Sequence, residues 1–432
     1  MLAIGTVLLS AAMAAGHIIP TIIPRDFNDT LPSGNDTSNY TMPDRGNYTW
    51  TPTCRLAALN GVADSVGFDC QGGCVATTGT VRAFMFFVDF PDAPAGNESA
   101  QDMHDKLVPE ATAWYAQASY GAMNLSVTAD TSAYYRIPKT AQSYNWLSGL
   151  GTYGQEAYIQ DALDAFTANG ARPPPAEVDV LYVVPTGNAA QWISRSQTSS
   201  IAISTRQGQM VAKKTTTFGA DDWDLNSRTM VHETGHAFCL PDYYTFGNDR
   251  PGVYVGGFSM MALTQGTAPD FFAWDKWRMG WIRDDAVDCV LDAGSTEHVL
   301  TPLAVAGGGK KAVVVAQTET TALVAEVRIA AGLDKEACAP GVLLYTVDTQ
   351  LPTGSGPVRV LDATPDSGGC VGLFEDLMDS ALSLTLEGSK SLAYAPVSSY
   401  EVKGWGVKVT LVSVADQKYT IRVDRQNSAS TM

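Results

Sequence analysis

The pattern of hydrophobic and polar positions along this chain predicts strands and helices in its first two thirds. Residues 81–90 are almost continuously apolar, as expected of a central strand covered on both faces, and residues 178–184 have the same character. Residues 124–135 alternate weakly and predict another strand. The segments 199–205 and 209–217 predict a hairpin.

Two stretches between these strands show a helical pattern. Residues 109–120 begin with Pro and are followed by Gly121, which predicts a helix with those boundaries. Residues 158–169 have apolar side chains on one stripe and predict a second helix, which the prolines at 173–175 end.

Beyond about residue 281 the pattern changes to short β-prone runs separated by Gly, Pro and Asp. These runs are 299–305, 311–317, 322–329, 341–347, 371–374 and 406–412. The predicted fold class is therefore α+β, with a mixed domain at 79–285 and a β-rich C-terminal domain at 286–432.

The first 78 residues lack a long periodic pattern. Residues 2–15 are apolar and rich in small side chains, and Ala12-Met13-Ala14 has the form of a signal-peptidase site, so 1–16 is predicted to be a signal peptide. Apolar residues resume at 18–23, which leaves an uncleaved anchor as the alternative. Residues 17–78 are predicted to form an exposed, glycosylated low-complexity segment.

The sequons and the cysteines both indicate a secreted, extracellular glycoprotein. N-glycosylation is predicted at Asn28, Asn35, Asn39, Asn47, Asn97 and Asn124. Seven cysteines in an exported chain imply disulfides with one thiol left over. Local pairing is expected within two groups, with Cys239 as the unpaired one; the groups are Cys54, Cys70 and Cys74, and Cys289, Cys338 and Cys370.

The composition of the chain argues against some classes of binding partner. The chain has 432 residues, of which 45% are hydrophobic, so it can bury a core that holds a rigid site. Its net charge of −17 argues against nucleic acid and against anionic membrane surfaces, since both require basic patches. No nucleic-acid partner and no stable membrane association after signal cleavage are expected.

The strongest chemical signal is His232-Glu233-Thr234-Gly235-His236. Side chains four residues apart lie above one another on a helix, so the two imidazoles point at the same place and can bind Zn²⁺. Glu233 is positioned to take a proton from water held there. Apolar residues on both sides predict a packed helix rather than a solvated one.

Zinc requires a third protein ligand and an open fourth position to be catalytic. Asp242 lies ten residues after His232, just beyond Leu240-Pro241, and its carboxylate is the predicted third ligand. Tyr244 is a candidate hydrogen-bond donor to the reacting carbonyl, with plain packing as the alternative.

With these motifs in place, the chain resembles the immune inhibitor A family of secreted zinc metallopeptidases. Trp114–Gly121 is similar to the family's helix that ends in Ser-Tyr-Gly, and His232–Tyr244 to its zinc signature. Gly257–Ala262 resembles its methionine turn, and Trp274–Trp281 resembles the segment that closes its catalytic domain. The strand around Val88-Asp89-Phe90 and, more weakly, the segments 325–328 and 345–348 extend the resemblance.

The resemblance implies a metzincin-like catalytic domain, with Met261 as the hydrophobic floor beneath the metal and Met260 as its rival. It also implies endopeptidase activity on protein or peptide substrates. The family usually has Gly seven residues after the first histidine, where this chain has Cys239. Asp249 and Asp270 are therefore alternative third ligands.

Two other functions are also compatible with the sequence. One is a secreted protein that binds glycans or proteins and carries an inactive or structural zinc site, and the other is a zinc amidohydrolase acting on non-peptide amides. Two clusters of acidic residues are possible Ca²⁺ ligands. The alternative is that their carboxylates are solvated in surface loops. The clusters are Asp221, Asp222 and Asp224, and Asp284, Asp285 and Asp288.

Overall fold

A computed structural model describes most of the chain. The described residues are 53–58, 64–68, 73–146, 151–168, 170–173, 175–220, 227–247, 249–371 and 376–426. Several predicted features lie outside them: the signal peptide, the first four sequons (Asn28, Asn35, Asn39 and Asn47), Cys70, and the acidic group of Asp221, Asp222 and Asp224.

The first sheet has six strands. They are β1 (Gly79–Asp89), β2 (Met123–Arg136), β3 (Val178–Pro185), β4 (Gln197–Thr198), β5 (Ile203–Ser204) and β6 (Met210–Thr217). The order is β2-β1-β3-β6-β4, with β5 also pairing to β6. Neighbours from β2 to β6 are parallel, whereas β4 and β5 run antiparallel to β6. The continuous apolar runs of β1 and β3 therefore lie at the centre of the sheet, as predicted.

Successive side chains of β1 enter two different cores. Met85 and Phe87 join the apolar cluster on one face, and Phe86 and Val88 join the cluster on the other. This alternation follows from the period of two along a strand, and explains why every residue in the second half of β1 is apolar or buried.

Four α-helices accompany the sheets in the described part of the chain. They are α1 (Ala100–Ala118), α2 (Thr152–Phe166), α3 (Ser227–Ala237) and α4 (Ala273–Arg278). The predicted start of the first helix at Pro109 was wrong, because Ser99 and Asp102 form a capping box upstream and Pro109 lies inside the helix. The second helix also begins earlier than the predicted Tyr158.

The last third forms two antiparallel-rich sheets, in agreement with its predicted β-rich character; of the predicted runs, 372–374 lies outside the described residues. One has the order β12-β11-β10-β9-β7 and comprises β7 (Val287–Val290), β9 (Ala312–Ala316), β10 (Thr321–Arg328), β11 (Gly341–Asp348) and β12 (Val358–Val360). The other has the order β13-β14-β15-β8 and comprises β8 (Gly294–Leu300), β13 (Ser399–Val402), β14 (Val407–Ala415) and β15 (Lys418–Arg425). A third apolar cluster lies between them. The fold is mixed α+β with several sheets and few helices.

The apolar core extends across residue 285. One cluster contains Phe272 and Trp274 from the α4 region together with Val314 and Tyr345 from the β-rich part. Among the described residues, no helix combines the length and the apolar character that crossing a membrane requires.

The described residues contain three disulfides: Cys54–Cys289, Cys74–Cys239 and Cys338–Cys370. The third agrees with the expected local pairing. The pairing within the N-terminal group was wrong, and so was the choice of Cys239 as the unpaired cysteine. The physical reason is tertiary: Phe68 packs edge-on against Trp274 and Trp277, which brings the N-terminal segment onto the later part of the chain.

Candidate metal centre

The two histidines of α3 face the same point from a buried helix. Met230, Val231 and Ala237 anchor α3 in the core, and His232 and Glu233 are only 7% and 6% exposed. The ring centroids of His232 and His236 are 4.9 Å apart. The helical spacing predicted from sequence therefore brings the imidazoles together.

Asp242 completes a set of three donor atoms. Its Oδ1 lies 3.1 Å from His232 Nε2 and 3.2 Å from His236 Nε2. Bonds of about 2.0–2.1 Å in a tetrahedral zinc site place ligand atoms about 3.3 Å apart, so the distance from the carboxylate oxygen to each imidazole nitrogen fits the ion. Ligand atoms of His232, Glu233 and His236 also all lie within 4.8 Å of one another. We favour Asp242 over Glu233 as the third ligand because its oxygen is close to both nitrogens.

Main-chain carbonyls orient both rings. His232 Nδ1–H donates to Met260 O over 2.8 Å, and His236 Nδ1–H donates to Leu240 O over 2.8 Å. A carbonyl oxygen only accepts, so Nδ1 carries the proton in each ring and Nε2 is the atom that faces Asp242. This is the arrangement by which proteins fix metal-binding imidazoles.

The electrostatics of the group favour charge separation. Burial alone raises the pKa of Asp242, but His236 and His232 outweigh it and hold that pKa well below its usual range. Burial lowers the pKa of His236, yet the Asp242 carboxylate reverses the effect and raises it to about 9. The Asp242 carboxylate thus stabilises positive charge at the point that the two rings face.

The turn after α3 allows Asp242 to reach the histidines. Cys239 has φ 59°, the left-handed conformation for which the resembled family uses Gly, and it is disulfide-bonded to Cys74. The two alternative ligands lie elsewhere: Asp249 is exposed, and Asp270 Oδ2 pairs with Lys276 Nζ over 2.6 Å.

Glu233 has a side-chain partner that the sequence did not indicate. Thr198 Oγ1, on the short edge strand β4, lies 3.0 Å from Glu233 Oε2 and 2.8 Å from Glu233 O. Thr216 Oγ1 is 2.8 Å from the same hydroxyl. The single proton of the Thr198 hydroxyl is within reach of both Glu233 oxygens, and a bond to Oε2 restricts the orientation of the glutamate.

The methionine pair lies beneath α3. A Cβ on Gly235 would approach Met261 Sδ to 2.4 Å, so the Met261 side chain packs directly against the helix at its glycine. Met261 O also accepts a hydrogen bond from Tyr243 N, and Met260 O accepts the one from His232. Met261 therefore contributes the packing and Met260 the main-chain contact.

Tyr244 lies beside the histidines. Its ring is 6.2 Å from that of His232 at an interplanar angle of 28°, and it also packs against Phe246. This position is compatible with the hydrogen-bonding role and with plain packing alike.

The β-rich part of the chain contacts the site through Thr353, which the sequence also did not indicate. Asp242 N–H donates to Thr353 Oγ1 over 2.9 Å, and Thr353 Oγ1 lies 3.4 Å from Asp242 Oδ2. Gly354 N–H donates to Asp242 O over 3.1 Å. Such long-range contacts have no local sequence pattern.

The remaining predicted residues lie away from the metal centre. Asn97 and Asn124 are exposed, as sequons require. Asp284 accepts from Trp277 Nε1, Asp285 pairs with Arg283 and Asp288 pairs with His298 and Lys310. These three carboxylates thus point to separate partners, and the calcium prediction gains no support from them.

No protein-family model matches the chain, and no curated protein is significantly similar to it. The resemblance to the immune inhibitor A family therefore stays an expectation based on motifs. Any assignment of function depends on the geometry of the metal centre.

Proposed function

We propose that this chain is a secreted zinc-dependent endopeptidase of the immune inhibitor A type, with a metzincin-like catalytic domain. The observation that carries the proposal is the approach of Asp242 Oδ1 to His232 Nε2 at 3.1 Å and to His236 Nε2 at 3.2 Å, beside Glu233. A purely structural zinc site has no use for a glutamate oriented by a neighbouring hydroxyl.

His232, His236 and Asp242 would hold the zinc. When bound, the zinc would polarise the scissile carbonyl and lower the pKa of water toward about 7. Glu233 accepts the proton of the attacking water and returns it to the leaving amine. Thr198 keeps the Glu233 carboxylate turned toward that water, and Tyr244 is the candidate donor to the developing oxyanion.

The substrate is a peptide in extended conformation. Strand β4 ends the first sheet, and its Thr198 contacts Glu233 directly. A peptide that adds to this edge as a further strand passes the catalytic glutamate, and its main chain supplies the hydrogen bonds. This geometry favours an endopeptidase over an amidohydrolase for small amides, which needs no open sheet edge.

Secretion agrees with the disulfides. Three of them link the described residues, and such bonds persist in oxidising compartments. Exposed Asn97 and Asn124 are accessible for glycosylation. The predicted signal peptide would direct the chain to export.

The test combines metal analysis with proteolysis. We expect the purified protein to contain zinc, to cleave casein, and to lose activity with a zinc chelator and regain it with added Zn²⁺. Glu233→Gln keeps the size of the side chain and removes the base, so activity should fall by about 10²–10⁴-fold with zinc retained.

The matched control is Glu336→Gln, which makes the same change at an exposed position and should leave activity unaltered. Casein cleavage by Glu233→Gln at the wild-type rate would refute the mechanism. Zinc binding without any peptidase activity would favour the alternative of a binding protein with a structural or inactive site.

A further inference from the structure

We infer that Thr353, in the β-rich part of the chain, is a positioning residue of the metal centre: it holds the Asp242 carboxylate so that only Oδ1 faces the metal. The inference rests on the proposed function and deepens it. It assigns to the C-terminal part a direct role at the site instead of the role of a separate binding module.

The two carboxylate oxygens of Asp242 have different neighbours. Oδ1 is the oxygen near His232 Nε2 and His236 Nε2. Oδ2 lies near Thr353 Oγ1, at 3.4 Å. A hydroxyl has one proton and can both donate and accept, so Thr353 accepts from Asp242 N–H and directs its own proton to Oδ2.

The turn that carries Thr353 is held by main-chain hydrogen bonds. This turn connects β11 to β12. Two further hydrogen bonds join it to the segment after α3, and a third closes the turn on itself. Gly354 N–H donates to Asp242 O over 3.1 Å, Phe246 N–H donates to Gly354 O over 3.2 Å, and Asp348 N–H closes the hairpin on Pro357 O. Gly354 has φ 73°, and a Cβ there would lie 2.3 Å from the Phe246 ring, so only glycine permits this approach.

Holding one carboxylate oxygen in place has a chemical consequence. A carboxylate that binds zinc through one oxygen leaves room for the water that the reaction needs, whereas a freely rotating carboxylate can occupy two positions. Hydrogen bonds to the outer oxygen of a ligating carboxylate fix its orientation, and their loss typically lowers metal affinity by about 10–100-fold.

The experiment measures zinc affinity of the purified full chain by competition with a chromogenic chelator, independently of activity. Thr353→Val keeps the shape and deletes the hydroxyl, and we expect a 10–100-fold weaker zinc affinity. Thr353→Ser keeps the hydroxyl and should stay within about twofold of wild type. Ser355→Ala is the matched control: it deletes a hydroxyl from the same turn at a residue that does not contact Asp242.

Thr353→Ala serves as a second hydroxyl deletion if the valine strains the turn. In saturating zinc, the KM for a peptide substrate should be unaltered in every variant that folds. Wild-type zinc affinity in both hydroxyl deletions, or equal weakening by Thr353→Ser and Thr353→Val, would overturn the inference. A wild-type chain that binds no zinc would instead contradict the proposed function, so the two failures are distinguishable.

Discussion

Arg328 in β10 donates a hydrogen bond to the main-chain oxygen of Phe258 over 3.0 Å, across 70 residues of sequence. Two further guanidinium bonds reach Ala268 O and Asp270 O, each at 3.2 Å. Phe258 lies two residues before Met260, whose oxygen orients His232. A side chain of the β-rich part therefore fixes the loop that supports the metal centre.

Replacing Arg328 should destabilise the whole fold. Its guanidinium is fully buried and pairs with Glu326 at 2.6 Å and Asp334 at 2.7 Å, so Arg328→Met leaves two buried carboxylates without their cation. We expect a loss of about 3–5 kcal/mol in the free energy of unfolding, measured by denaturant titration. Arg422→Met removes a half-exposed partner of Asp424 and should cost less than about 1 kcal/mol. Equal losses in the two variants would contradict the structural role.

Asp275 should make stability depend on pH. Burial raises its pKa to about 6, although Arg278 and the hydrogen bond from Tyr243 oppose the shift. The folded-state pKa exceeds the unfolded value, so the protonated acid favours the folded state. Its contribution is complete below about pH 4 and is lost as pH rises through about 6.

The variant Asp275→Asn tests this directly, because it retains an oxygen for Tyr243 and cannot titrate. The difference in unfolding free energy between wild type and variant should change by on the order of 2–3 kcal/mol between pH 4 and pH 7, with wild type losing stability as pH rises. Parallel pH profiles of the two proteins would show that this carboxyl group does not titrate in that range.

The Cys74–Cys239 disulfide should support the metal centre. Cys74→Ala/Cys239→Ala removes the link and places Ala in a left-handed conformation at the turn before Asp242, so we expect lower stability by about 2–5 kcal/mol and weaker zinc affinity. Cys74→Ala/Cys239→Gly should recover part of the affinity, because glycine accepts positive φ.

The control for these two double variants is the Cys338–Cys370 disulfide, which lies away from the site. Removing Cys338 and Cys370 together should also lower the unfolding temperature but leave the zinc affinity unaltered. If both double variants weaken zinc binding to the same extent, the effect is general instability and not loss of the turn.

Thr198 should affect catalysis without affecting metal binding. Thr198→Val deletes the donor to Glu233 Oε2, and we expect kcat to fall by about tenfold or more while KM and zinc affinity stay near wild type. Thr198→Ser retains the hydroxyl and should restore kcat. A fall in zinc affinity that matches the fall in kcat would indicate that Thr198 supports the fold of the site and not the glutamate.

Local patterns were sufficient for part of the fold. The apolar runs of β1 and β3 were predicted because strands covered on both faces have no polar positions. The prediction for α1 is wrong at its start, because Ser99 and Asp102 cap the helix upstream of Pro109. Prolines occur both at helix starts and inside helices, and the cap distinguishes the two cases here.

The sequence by itself determined the pairing of His232 with His236 and the place of Glu233 between them, because side-chain directions on one helix follow from its 3.6-residue period. Only the tertiary structure decided which carboxylate meets the imidazoles, which cysteines pair, and that Thr198, Thr353 and Arg328 support the site. Apart from that of Asp242, these contacts join segments far apart in sequence, and their formation depends on how the sheets and helices pack, which no local pattern encodes.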